Sequence, residues 1–124
     1  MDRLKITLLL PPPQLSPNWR GHFMAKARAT KKYRTQAFGE SLFQLQEARM
    51  PKPWWREATV QATFWFKDLR RRDRDNMLAS LKAAFDGLAD AHIVVNDSCI
   101  THLPVLVGVD KKDPRVELEI VKTA

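Results

Sequence analysis

The chain is short of cysteine, glycine and uninterrupted apolar sequence, and each shortage closes off a class of function. A single cysteine, Cys99, excludes an intramolecular disulfide and any Cys-x-x-Cys metal site. It suits a reducing cytosol. Only four glycines are present and none form a glycine-rich phosphate loop, so neither a nucleoside triphosphatase nor a nucleotide cofactor is expected. The longest apolar N-terminal run, Ile6 to Pro13, is too short to span a bilayer and is broken by prolines. It lacks the cleavage site of a signal peptide, so a cytoplasmic protein with no membrane attachment is expected. His22, His92 and His102 show no metal-ligand spacing, and no serine lies in a nucleophile elbow. There is no internal repeat.

What the chain has in excess is positive charge. Lysine and arginine total 21 against 14 acidic residues, a net charge of +7, which favours a polyanionic partner. At 124 residues, 44% hydrophobic and 28% charged, the chain is expected to be one globular domain over 1–124 with a single core.

Hydrophobic periodicity sets out the elements. Leu4, Ile6, Leu8 and Leu10 recur with period two, a strand that Pro11-Pro12-Pro13 stops; Leu9 suggests burial on both faces. A loop with Trp19 and Arg20 follows. The indole there either anchors the loop or stacks on a base. His22 to about Met50 has helical composition, with Phe38, Leu42 and Leu45 as an apolar stripe and Gly39 as a point of bending. Its first half carries Lys26, Arg28, Lys31, Lys32 and Arg34, suited to lie along phosphates. Pro51 and Pro53 end it, and Trp54-Trp55 are expected to cover a core edge or a subunit contact. Val60, Ala62, Phe64 and Phe66 make a second strand. Asp75 or Asn76 should cap a helix with Leu78, Leu81, Phe85 and Leu88 on one face. A third strand spans roughly 99–109, with Pro104 marking an edge or a bulge, and a last strand around Val116 to Ile120 should close a hairpin. The order β-α-β-α-β-β implies an α/β (α+β) domain, one mixed sheet packed with two main helices.

The chemistry concentrates between the second strand and the second helix. Arg70-Arg71-Arg72-Asp73-Arg74-Asp75-Asn76 sets two carboxylates two residues apart inside an arginine cluster. In extended backbone both would face one side and could share a Mg²⁺, a hard cation that prefers oxygen ligands. Asp97, at the turn where the chain re-enters the sheet, supplies a third carboxylate. Lys82 lies seven residues after Asp75, on the same face of a continuous helix, within reach of a phosphate oxygen. The plainer reading of Lys82 is a surface pair with Asp86.

The segments Arg71-Arg72-Asp73-Arg74-Asp75-Asn76, Leu81-Lys82-Ala83-Ala84-Phe85-Asp86-Gly87-Leu88 and Asn96-Asp97 resemble the RusA-type Holliday junction resolvases of bacteria and their phages. The strand-then-proline opening, Leu4 to Pro13, with Ser16-Pro17-Asn18 behind it, is similar too, so the likeness spans most of the chain. It implies a cytoplasmic, bacterial or prophage-encoded homodimer that cuts four-way DNA junctions by paired symmetric incision, leaving 5′-phosphates, in recombination and repair. It implies Mg²⁺ at Asp73, Asp75 and Asp97, and a catalytic role for Lys82. Arg20, Lys26, Lys31, Lys32, Arg70, Arg71 and Arg72 would bind DNA. The interval from Asp75 to Lys82 is about one helical turn longer than in the best-known member, and Asn96 stands where members often have a second acid. Two rivals are a non-catalytic basic nucleic-acid-binding module whose aspartates are helix caps, and a nuclease that prefers forks or flaps.

Overall fold

The computed structural model describes residues 2–123. Five strands and three helices form one mixed sheet with helices on one face: β1 (Arg3–Leu8), α1 (Phe23–Glu47), β2 (Ala58–Phe66), α2 (Arg74–Ala79), α3 (Lys82–Asp90), β3 (Ile100–His102), β4 (Leu106–Val109) and β5 (Arg115–Lys122). The order across the sheet is β1-β5-β2, with β3 and β4 both on the far edge of β2. β5 runs antiparallel to β1 and β2, while β3 and β4 run parallel to β2. This is the expected small α+β domain. The last strand, however, does not close a hairpin with its predecessor. β5 crosses to the other side of β2 and becomes an inner strand of the sheet. Its alternating Val116, Leu118 and Ile120 are all fully buried, which an edge hairpin would not achieve.

Side-chain alternation explains the layering. Ile6, Val60, Phe64, Leu118 and Ile120 point to the helix side and are lost from solvent. The opposite face carries Lys5, Thr59, Gln61, Thr63, Glu117 and Glu119, and is crossed by a Lys5–Glu117 pair at 3.0 Å. β1 is buried on one face only, and Leu9 lies beyond its end, 66% exposed. Two-sided burial is therefore not realised there.

α1 is continuous through Gly39, whose missing side chain faces open space. Its buried stripe is Tyr33, Ala37, Ser41 and Leu45, spaced four apart, with Phe38 half-buried beside it. Small residues in this stripe let α3 approach closely. A Cβ on Gly87 would lie 2.6 Å from the Arg34 carbonyl oxygen and 2.7 Å from Ala37 Cβ. Arg34 ties the same two helices with a fork onto Asp90, at 2.7 and 2.8 Å.

The second predicted helix is broken. Leu81 leaves helical geometry (φ −93°, ψ 0°) just after Ser80 caps α2, so α2 and α3 are separate segments. Leu81, Phe85 and Leu88 still reach the core. The third predicted strand is broken as well, at Pro104. Ala58 pairs with Ile100 but Thr63 pairs with Leu106, so one extra residue is accommodated between β3 and β4. A proline can neither donate to the ladder nor continue it, which is the reason for a bulge here. The Gln61 side-chain amide donates to the freed Pro104 carbonyl. Among the described residues, no helix is long and apolar enough to cross a membrane.

Candidate active site and nucleic-acid face

The loop after β2 is built by its own charges. Asp68 accepts from the Arg70 backbone N–H (3.0 Å) and from Arg72 Nη2 (2.9 Å). These donors hold its carboxyl below the ordinary carboxylate range, the Arg70 N–H foremost. Arg72 also donates to the Arg70 carbonyl at 2.9 Å, and its guanidinium lies 3.7 Å from the centre of the Phe66 ring. Arg72 is thus committed to shaping the loop, a bidentate and stacking task that suits guanidinium. Arg70 and Arg71 remain exposed.

Asp73 caps α2. Its Oδ1 accepts from the N–H groups of Asp75 (2.9 Å) and Asn76 (3.3 Å). The cap therefore falls two or three residues earlier than the expected Asp75 or Asn76. Asp73 sits in extended backbone (φ −83°, ψ 117°), but Asp75 is already helical. The period-two argument that would place both carboxylates on one face does not apply across that boundary. They line different hollows: Asp73 sits with Phe66, Arg72 and Asn76, whereas Asp75 sits with Lys82, Phe85 and His102. Arg74 donates to the Val105 carbonyl at 2.9 Å and ties α2 to the bulge in the edge strand.

Lys82 opens α3, and its Nζ bridges Asp97 (2.7 Å) and Asp86 (3.0 Å). The break at Ser80-Leu81 removes the continuous helix on which its position relative to Asp75 was predicted. It nonetheless shares a hollow of about 400 Å³ with Asp75. The hydrogen bond to Asp97, then that to Asp86, raises the Lys82 ammonium above the ordinary lysine range. The same bond lowers Asp97. Asp97 begins a 3-10 turn, Asp97–Cys99, and Asn96 caps it by accepting from the Ser98 N–H at 3.0 Å. Asn96 is therefore a positioning residue for Asp97, a role that an N-cap asparagine fills well.

The sequence reading passed over His102. It has no motif spacing, and only the fold brings it to the hollow. Its imidazole packs on Phe85, ring centres 4.5 Å apart, and burial lowers its pKa against the opposing pull of Asp97. A sequence signal existed in part: His102 alternates with Ile100 on one face of a short strand three residues past Asp97.

The basic surface divides in two. Arg20, Lys26, Lys31 and Lys32 are exposed, as a phosphate-binding face requires. Arg34 is occupied by Asp90. Trp19 is half-buried and covers Gly21, where a Cβ would meet the indole ring.

Among the described residues, no group of three or more acidic, histidine or cysteine side chains stands together as a metal cage. Asp73, Asp75 and Asp97 are hard oxygen donors of the right chemistry, but Asp73 is turned to the α2 backbone and Asp97 to Lys82. A scan against protein-family models finds no match to this chain, and a search of curated proteins finds no relative.

Proposed function

We propose that this protein is a structure-specific DNA endonuclease that resolves four-way junctions, of the RusA type that its sequence resembles. The observation that carries the reading is the meeting of Asp75 and Lys82 at one solvent-open hollow, with Lys82 hydrogen-bonded to Asp97 across fifteen residues of sequence. An always-charged ammonium beside a free carboxylate is what hydrolysis of a phosphodiester asks of side chains. Asp75 accepts a proton from the attacking water. Lys82 neutralises the phosphoryl oxygens as the P–O3′ bond breaks, and the departing O3′ takes a proton from solvent, leaving a 5′-phosphate and a 3′-hydroxyl. Exposed Arg70, Arg71, Arg20, Lys26, Lys31 and Lys32 hold the strands in a salt-sensitive way.

Mg²⁺ is the cofactor this reading names, with Asp73, Asp75 and Asp97 as its donors. Those three do not fit a cation as they are arranged, because two of them are engaged elsewhere. The reading also needs two equivalent sites, hence a second copy of the chain. A surface for it is the free edge of β4. Leu106, Val107 and Val109 are exposed there, with no charge, in a chain carrying +7. Exposed apolar edges are rare unless something pairs with them. Val107→Lys should convert a dimer to a monomer in sedimentation; a wild-type monomer at working concentration overturns the dimer.

The rival reading is a basic binding module without catalysis, and the cap formed by Asp73 favours it. One experiment separates the two. Purified protein is offered a four-way junction, a fork, a flap and a duplex, in Mg²⁺ and in EDTA. Paired incision of the junction is the expected result, and its loss in EDTA would show that the three aspartates rearrange to hold a cation. Binding without any product selects the module, and preferential cutting of the fork or flap selects the other nuclease.

A further inference from the structure

Trp54 lies outside everything assigned so far, and its geometry has no packing explanation. Three non-glycine residues among those described have left-handed backbone: Arg49 (φ 52°), Trp54 (φ 49°) and His92 (φ 63°). Two of these are helix ends. Arg49 N–H reaches Gln46 O and Met50 N–H reaches Leu45 O, and at the end of α3 His92 N–H reaches Ala89 O and Ile93 N–H reaches Leu88 O. Both are Schellman motifs, where glycine is the favoured residue at the left-handed position. Trp54 has no helix to end. A bulky side chain in that region is a costly outlier, and such outliers concentrate at ligand sites.

The end of α3 meets Trp54. Its N–H donates to the His92 carbonyl at 2.9 Å, and its indole stacks on the His92 imidazole, ring centres 3.9 Å apart and 16° from parallel. Trp54 is still 48% exposed. An indole with one face covered so closely keeps that much exposure only if its other face is open. Next to it lies a hollow of about 740 Å³, lined by Trp54, the buried Trp55, the cations Arg56 and Lys122, and the acids Asp2 and Glu57. Arg56 is exposed there, and Arg49 and Lys52 are exposed in the segment that leads into Trp54. None of these cations makes an ion pair among the described residues.

We infer that the Trp54–His92 stack is a platform for an unpaired nucleobase, with Arg49, Lys52 and Arg56 taking the flanking phosphates. A rigid aromatic face beside exposed, unpaired cations matches single-stranded nucleic acid: every base offers a π face, and each phosphate a charge. The Trp54 imidazole partner stiffens the platform, which is why a histidine occupies a position that glycine would fill with less strain. This rests on the nucleic-acid reading above but not on cleavage.

The test compares a twelve-nucleotide single strand with a twelve-base-pair blunt duplex, by fluorescence anisotropy in EDTA, for wild type, Trp54→Ala, Trp54→Phe and His92→Gly. Trp54→Ala should weaken single-strand binding roughly 5- to 100-fold and change duplex binding less than about twofold. Trp54→Phe keeps a ring and should stay within about threefold of wild type. His92→Gly suits the Schellman turn, so it should fold with no loss of melting temperature, yet weaken the single strand. Unchanged single-strand affinity in His92→Gly and Trp54→Ala overturns the platform, as does an equal loss on both substrates. Trp54-dependent single-strand binding without any junction cleavage leaves the platform standing and removes the nuclease; junction cleavage with Trp54-independent binding does the reverse.

Discussion

Asp73 and Asp75 are two residues apart and carry the same group, but the fold gives them opposite positions. Asp73 faces backward onto the first turn of α2 and accepts two backbone N–H groups. Asp75 sits inside that turn and faces the hollow shared with Lys82. A helix start lies between them, and the chain changes there from extended to helical. Spacing in sequence therefore says less about shared function than the secondary structure it straddles. One carboxylate serves the fold, and the other is left free for chemistry.

Substitutions can sharpen or break this contrast. Asp75→Asn should give the largest effect, a fall of about 100-fold or more in junction cleavage, the range expected for loss of a catalytic carboxylate. Its melting temperature should not change. Full cleavage by this variant removes Asp75 from the site. Asp73→Ala should be the reverse in character, losing about 1 kcal/mol of stability in urea, as N-cap deletions do. Asp73→Asn should lose only a few tenths of that order, because asparagine caps nearly as well. If Asp73→Asn abolishes cleavage while keeping stability, the two aspartates act together after all and the contrast fails.

The smallest effect on stability belongs to Lys82→Met. Its pairs with Asp86 and Asp97 are largely solvent-exposed, and such pairs contribute little to stability. The contribution has a pH window. Asp97 is lowered in the folded state by its bond to Lys82, so what it adds is present above roughly pH 4 and lost as pH falls through its folded value. Lys82 is raised, so its part is present below about pH 10 and lost as pH rises past its folded value. The difference in melting temperature between wild type and Lys82→Met should be flat between those limits and vanish at both ends. A difference that instead changes between pH 6 and 8 would mean that another group, His102 foremost, controls the pair. The variant should lose rate more than affinity for the junction.

The alternating strands were legible because burial of one face imposes period two, and β1, β2 and β5 obey it. The edge break was legible from Pro104, whose missing N–H forbids a regular ladder. The placement of β5 was not. Hydrophobic alternation says that a strand has a buried face, and nothing about which neighbours it takes. The α2–α3 break escaped notice because Leu78, Leu81, Phe85 and Leu88 fit one helix by spacing alone. At the site, Asp75, Lys82 and Asp97 were found by residue type and position. His102 and the Trp54–His92 stack were not, since only tertiary structure makes them neighbours.

The bulge at Pro104 also sets a reading frame for the sheet edge. Before it, even-numbered residues such as Ile100 and His102 face the helices; after it, odd-numbered Val107 and Val109 do, opposite Phe64 and Phe66. Gly108 consequently lies beneath the Trp65 indole on the open face, where a Cβ would come within 2.4 Å of the ring. Deleting Pro104 would remove the extra residue and leave Gly108 opposite Trp65, whereas inserting one residue beside it would exchange the two faces of β4 and bring Val107 under that indole. A single-codon gain here would act as a frameshift in three dimensions, whereas a single-codon loss or a substitution at the same place would be a local event.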